Sequence, residues 1–202
     1  MNNRFNNLAK MWDSKPARVQ GAMTFVDKIK EFLPNDLSSF NVLDYGCGTG
    51  LVSFGFSYDA NFILGLDNSV GMVEVYNKKS KQIALNNIKA EVHDINTQDL
   101  DENKFDLIVT NMTMHHIKNT KEFIEKLSFS LKKDGYLCIA DLKTEDGSFH
   151  SDNTGVEHFG FDTNKIKSYF QSCNLKNIKL DLLESIHKPN NTYEVFYIIA
   201  QK

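Results

Sequence analysis

The sequence predicts an α/β protein, a three-layer α/β/α sandwich around one seven-stranded mixed sheet. Three observations predict it. Short apolar runs alternate with amphipathic stretches of about 10–15 residues, the signature of βαβ units and a parallel sheet. The runs are near-continuously apolar, as strands covered on both faces must be. The last two runs are joined through Lys188-Pro189-Asn190-Asn191, which is a turn and not a crossover. That pair must therefore be antiparallel, because a parallel pair needs a long connection. The sheet is thus five parallel strands followed by a terminal hairpin. A chain of 202 residues suits one such domain.

The elements follow in order. Residues 16–33 read as a helix, with Val19, Ala22, Met23, Val26, Ile29, Phe32 and Leu33 on one face. Pro16 fits its first turn and Pro34 ends it. Residues 40–45 form a strand that runs into a glycine loop, and 50–58 a short helix. A strand over 61–67 is followed by a helix over 69–80, with Ser69 as its N-cap. Strands are predicted at 88–93 and 104–110. A helix starts at Asn119 or Thr120 and runs to 131, burying Phe123, Ile124, Leu127 and Leu131. Residues 132–135 (KKDG) read as a turn, and 136–141 as the fifth strand. Residues 142–161 are polar and rich in Gly and His, a loop or insertion. A helix over 162–173 and strands at 177–183 and 193–200 complete the chain.

The whole chain, 1–202, reads as one domain. It has a helical segment at 1–39, a core at 40–142, an insertion at 143–161, and a final helix and hairpin at 162–202. Hydrophobic residues make up 41% and the net charge is −3, so the chain is globular and lacks the basic footprint of a nucleic-acid binder. The longest apolar runs have five or six residues, far below the roughly 20 that span a bilayer. The first 16 residues hold no signal-peptide core, and the expected location is cytoplasmic. Cys47, Cys138 and Cys173 are an odd set without a CxxC pair, which argues for free thiols over a disulfide scaffold or zinc knuckle.

The strongest signal is VLDYGCGTG at 42–50. Glycines at alternate positions after a strand let the backbone turn sharply and let a ligand approach where a Cβ would obstruct it. The loop lies at the carboxyl end of the first strand, where open α/β sheets bind ligands. Asp67 ends the second strand and is placed to accept bonds from both hydroxyls of a ribose. Its other reading is a helix start at Ser69. Asp94, after the third strand, could accept from an exocyclic adenine amine beside Ile95, or simply form an Asx turn. A dinucleotide site wants GxGxxG, but Leu51 stands where its third glycine belongs. Asp44, two residues before the first glycine, would repel a pyrophosphate and suits a ligand carrying an amine or a sulfonium.

With these residues in view, the chain resembles the class I S-adenosylmethionine-dependent methyltransferases, a Rossmann-like family, and within it the small single-domain bacterial members. The resemblance rests on VLDYGCGTG (42–50), LGLDNS (64–69), HDIN (93–96), FDLIVTNMTMHHI (105–117) and LKKDGYLCIADL (131–142), in the family's order. Further similarity lies in Met11-Trp12-Asp13 and in the segments 145–150 and 158–162. It implies S-adenosyl-L-methionine as cofactor, S-adenosyl-L-homocysteine as product and EC class 2.1.1. It also implies roles. Gly46, Gly48 and Gly50 would line the methionine half, with Asp44 and the Cys47 backbone nearby. Asp67 would hold the ribose, Asn68 and Met72 would flank adenine, and Asp94 and Ile95 would border its other side. Asn111 would sit by the methyl group. Trp12 would close over the cofactor or pack in the core.

Methyl transfer from a sulfonium is an in-line displacement with an activated leaving group, so positioning and water exclusion carry much of it. A base is needed only where the acceptor must lose a proton. His115 and His116 are the candidates, with packing or capping as the alternative. Asp141, His150, Glu157 and His158 form a second polar cluster, with Phe149, Phe159 and Phe161 as apolar walls. Asp141, His150, His158 and Phe159 are the candidates for lining a substrate pocket. No metal site is expected, because adjacent histidines rarely share an ion and the cluster lacks a recognised ligand spacing. The stretch 111–114 (NMTM) lacks the Asn/Asp-Pro-Pro-aromatic pattern of amide and adenine N-methyltransferases. With the short insertion, this favours a small-molecule acceptor and no nucleic-acid partner. A cofactor sensor without turnover and a nucleotide-linked oxidoreductase are the competing classes.

Overall fold

The computed structural model describes residues 3–202. The first two residues of the helical segment predicted over 1–39 lie outside the described residues. Helix α1 (Asn3–Leu8) leads through a 3-10 turn, Ala9–Ser14, into α2 (Pro16–Lys30). Then come β1 (Asn41–Tyr45), α3 (Leu51–Phe56), β2 (Phe62–Asp67), α4 (Val70–Gln82), β3 (Ile88–Val92) and β4 (Phe105–Asn111). A 3-10 turn at Met114–His116 precedes α5 (Thr120–Ser130), β5 (Leu131–Leu142), α6 (Thr163–Ser172), β6 (Lys176–Lys188) and β7 (Asn191–Gln201). Every predicted strand and helix is present. The strand order is β3-β2-β1-β4-β5-β7-β6, the first five parallel and β7 antiparallel to both neighbours.

Local chemistry sets the boundaries. Pro16 starts α2, and the Ser69 hydroxyl accepts the Met72 N–H at the start of α4. Asn119 caps α5 through the Glu122 N–H, and Asp162 caps α6 through Asn164 and Lys165. Helix α2 stops at Lys30, three residues before the predicted end, though Leu33 and Leu37 stay buried beyond it.

The turn predicted at 132–135 is instead a bulged start of β5. Asp134 takes φ +63°, and the register against β4 shifts between Phe105 and Leu107. The chain's end holds these residues in the sheet: the Lys202 N–H donates to the Gly135 carbonyl and the Asp134 N–H to the Lys202 carbonyl. The closing hairpin is also longer than its apolar runs, because β6 and β7 pair out to Lys188 and Asn191 across two bulges.

Both sheet faces are covered. Phe25, Val26, Ile29, Phe56, Ile63 and Tyr76 build the core under α2, α3 and α4. Ile108, Phe123, Ile124, Leu137, Ile166 and Phe170 build the other under α5 and α6. The chain winds away from β1 on both sides, to β2 and to β4, so the crevice at the carboxyl ends of β1 and β4 is the topological switch point. No described helix is long and apolar enough to cross a membrane.

Candidate functional site

The glycine loop occupies that crevice. The N–H groups of Gly46 and Cys47 both donate to the Leu66 carbonyl, at 2.7 and 3.1 Å, which ties the loop to the end of β2. Its glycines serve different ends. A Cβ on Gly46, whose φ is +71°, would lie 2.1 Å from the Thr113 hydroxyl. At Gly48 (φ +52°) the nearest atoms to such a Cβ are Met72 Sδ at 3.9 Å and Trp12 Nε1 at 4.0 Å. Gly46 is therefore small to admit Thr113, and Gly48 faces the open cleft.

Asp67 locks to this loop. Its Oδ2 accepts the Gly48 N–H and its Oδ1 the Ser69 N–H, both at 2.8 Å. Each oxygen keeps a lone pair for a further donor. Burial pushes its pKa up, and the two backbone bonds oppose that rise. Asp44 lies beneath the loop and not on its face. It is 2% exposed and accepts from the Ser53 hydroxyl (2.6 Å) and N–H (3.1 Å). Burial raises it to about 7. It shapes the loop from behind, which corrects the expectation of a carboxylate facing the ligand.

Met72 is buried and Asn68 is exposed beside it. Asp94 forms the Asx turn: its Oδ1 accepts the Asn96 N–H at 3.0 Å and the Asn96 amide at 2.7 Å. Buried Ile95 is pinned by its N–H on the Tyr45 hydroxyl, at 2.8 Å. Asn111 ends β4, and Met112 after it takes φ +53°, a strained turn that leads into the histidines.

The N-terminal segment roofs the loop. Trp12 faces Gly48 with the Arg18 guanidinium 3.6 Å from its ring centroid. Asp13 accepts from the Thr49 hydroxyl at 2.5 Å and pairs with Lys79 at 2.7 Å. Asn6 Oδ1 accepts from the Ser69 hydroxyl (2.7 Å) and the Gly71 N–H (2.9 Å). Phe5 sets its ring edge-on to both Trp12 and His116. Among the roof's own residues, the sequence marks Trp12 as a candidate. Met11-Trp12-Asp13 was the signal available for Asp13, whereas Phe5, Asn6 and Lys79 carry none.

The histidines lie on the other side of the loop. His115 is 1% exposed and Asp141 fully buried. His115 donates its N–H to Asp141 Oδ2 at 3.1 Å and its ring Nδ1–H to Oδ1 at 2.7 Å. His116 Nδ1 donates to the Gly155 carbonyl at 2.7 Å. His150 brings its Nε2 to 3.2 Å from His115 Nε2. Burial, then the proximity of His115, pushes both His116 and His150 down to about 4, so both are neutral at neutral pH.

The other predicted pocket residues separate. Asp141 is an internal brace for His115 and lines nothing. His158 points away, with its Nε2 3.0 Å from the Ile117 carbonyl and 3.2 Å from the Thr120 hydroxyl, and so fastens the insertion to α5. Glu157 enters only through its backbone, since its N–H and that of His158 donate to the His115 carbonyl. Phe159 is 46% exposed and stands over Gly147, while Phe161 is buried against His158. Phe149 packs its ring against His150 and Tyr193. The structure thus keeps His115, His116 and His150 together, and assigns Asp141 and His158 to support.

A glycine loop at the switch point, a carboxylate at the end of β2 and an N-terminal roof frame one cleft, on the Rossmann-like fold of the class I methyltransferases. Residues 36–193 match a family model described as a methyltransferase domain, and the chain belongs to that family, the S-adenosylmethionine-dependent methyltransferases. It is 35% identical over 158 residues to an uncharacterized methyltransferase of Schizosaccharomyces pombe, a match covering 71% of this chain and 56% of that protein. It is 28% identical over 145 residues to a malonyl-[acyl-carrier protein] O-methyltransferase of Calditerrivibrio nitroreducens, covering 71% and 54%. The chain spans about half the length of these curated relatives. Its fold is shared with a SAM-dependent methyltransferase of Aquifex aeolicus (TM-score 0.70, 19% identity, 97% of both chains). It is shared also with phosphoethanolamine N-methyltransferase 2 of Haemonchus contortus in complex with S-adenosylmethionine (TM-score 0.71, 15% identity, 86% of this chain and 51% of that).

Proposed function

We propose that this chain transfers the methyl group of S-adenosyl-L-methionine to a small-molecule acceptor by in-line displacement, releasing S-adenosyl-L-homocysteine. The observation that carries the reading is the bond from Gly48 N–H to Asp67 at 2.8 Å, with Trp12 above it. It puts the loop that passes a methionine chain and the carboxylate that takes a ribose into one rigid unit. Asp67 accepts from the ribose hydroxyls, Asn68, Met72, Asp94 and Ile95 border the adenine, and Gly46, Gly48 and Gly50 line the methionine half. Asp44 and Cys47 support that loop, and Asn111 leads toward the methyl end. The acceptor enters beside His115, His116 and His150, between the roof and the insertion. A roof of one short helix and an insertion of about twenty residues suit a small acceptor and not a polymer. The relatives named above act on different acceptors, so the shared fold supports the cofactor half and leaves the acceptor to these side chains.

The test is calorimetric titration with S-adenosylhomocysteine on the wild type and on Asp67→Ala. Micromolar binding, about −8 kcal/mol, lost by at least tenfold in the variant, supports the reading. Absence of binding to folded wild-type protein sinks it.

A further inference from the structure

We propose that His115, His116 and His150 form a three-imidazole site for a first-row transition-metal dication, with zinc(II) or iron(II) as the fitting class, whose open position receives the methyl acceptor. The acceptor half of this statement rests on the methyltransferase reading; the metal half stands alone.

The tautomers come first. The Gly155 carbonyl can only accept, so the bond at 2.7 Å fixes the His116 proton on Nδ1. The Asp141 carboxylate does the same for His115 at 2.7 Å. In both rings Nε2 is then the atom that can offer a lone pair to a metal, which would replace the hydrogen bond between the His115 and His150 Nε2 atoms. Metal-ligating histidines characteristically donate their other N–H to a carboxylate or a backbone carbonyl, and here one ring has each. Asp141 is itself held, accepting the Leu142 N–H at 2.7 Å.

The separations come second. The ligand atoms of the three rings all lie within 4.8 Å of one another. His150 Nε2 and His115 Nε2 stand 3.2 Å apart. Two nitrogens each about 2.0–2.1 Å from a tetrahedral zinc would be separated by about 3.3 Å. The widest allowed separation exceeds that spacing by up to about 1.5 Å, which side-chain rotation would have to close on metal binding. This convergence goes against the expectation that adjacent histidines rarely share an ion. The 3-10 turn Met114–His116 turns two adjacent rings to one side, and the insertion returns His150 from 34 residues further along.

Three protein ligands leave coordination open, the arrangement of catalytic and not structural sites. Imidazole ligands suit zinc, iron, copper and nickel over magnesium or calcium. An acceptor with an ionisable O–H or S–H would bind there as its conjugate base, its proton passing to solvent water. Its oxygen or sulfur lone pair then forms the new bond to the methyl carbon. The S–CH3 bond breaks, and its electron pair returns to the sulfonium sulfur to give the neutral thioether.

The experiment takes the full chain stripped with chelator. Cobalt(II) titration is followed by visible absorption, and zinc(II) binding by calorimetry, beside S-adenosylhomocysteine binding in the same preparation. The expected result is one equivalent of metal per chain, weakened at least tenfold by His150→Ala and by the milder His150→Gln, and tenfold to a hundredfold by Asp141→Asn. Cofactor affinity should be unchanged in the His150 variants. Wild type that binds the cofactor but takes up no metal, or takes it up equally without His150, overturns the proposal. Metal uptake without cofactor binding leaves the metal site standing and removes the acceptor role together with the methyltransferase reading.

Discussion

Single atoms separate the jobs within the glycine loop. Gly46→Ala drives a Cβ to 2.1 Å from the Thr113 hydroxyl at a left-handed φ, so a loss of about 2–4 kcal/mol is expected in urea unfolding. Gly48→Ala meets nothing closer than 3.9 Å and should cost only about 1 kcal/mol, yet its methyl group enters the cleft and should abolish S-adenosylhomocysteine binding. Equal losses of stability in the two variants would contradict this division. Asp44 makes a prediction in pH. Its pKa of about 7 in the fold stands above its ordinary 3.8, so between these values the native state holds a proton that the unfolded chain has released. Stability therefore falls as pH rises through that window, by an amount on the order of a few kcal/mol. Asp44→Asn should remove this component, and unfolding midpoints of the apo protein at pH 5 and pH 8 should differ less in the variant than in the wild type. Asp44 and Asp67 show what sequence conveys at this scale. Both were legible as site carboxylates, but only the fold distinguishes one sealed behind the loop by Ser53 from one bonded across it to Gly48.

At the scale of elements, the strands and the capped helices were legible because each is encoded locally, by apolar runs and by Ser69, Asn119 and Asp162 as caps. What was not legible depends on distant partners. Residues 132–135 have turn chemistry, yet they join β5, where Asp134 and Gly135 bond to Lys202. The N-terminal roof has little hydrophobic periodicity and is held by Asn6 on α4 and by Asp13 on Thr49 and Lys79. That makes it separable from the core. Asp13→Ala removes the hydroxyl bond and the half-buried ion pair together, and it should loosen the roof without unfolding the sheet. Trp12, the sole tryptophan, reports on it directly. Its fluorescence should change on S-adenosylhomocysteine addition in both proteins, with the midpoint at least threefold weaker in the variant. An unshifted midpoint would mean that the roof does not bear on the ligand.

For the whole molecule, the site draws on segments far apart in the chain: the roof before α2, the ends of β1, β2 and β4, and the insertion after β5. The seven-stranded architecture was readable from alternation and the closing hairpin. The gathering of His150 onto His115 was not, because it follows from the path of an insertion without periodicity. A ligand that touches several segments stabilises all of them together. At a hundred times its dissociation constant, S-adenosylhomocysteine adds about 2.7 kcal/mol to the native state, which raises Tm by roughly 6 °C in a chain of 202 residues. Asp67→Ala should show no such rise. Hydrogen exchange locates the gain. Protection should increase at the glycine loop and at the start of α4, and also across residues 4–15. The β6–β7 hairpin lies at the far edge of the sheet and should change little. Protection confined to the loop and α4 would place the ligand in an open crevice, and Trp12 and Asp13 would then be fixed by packing with the core and not by the cofactor beneath them.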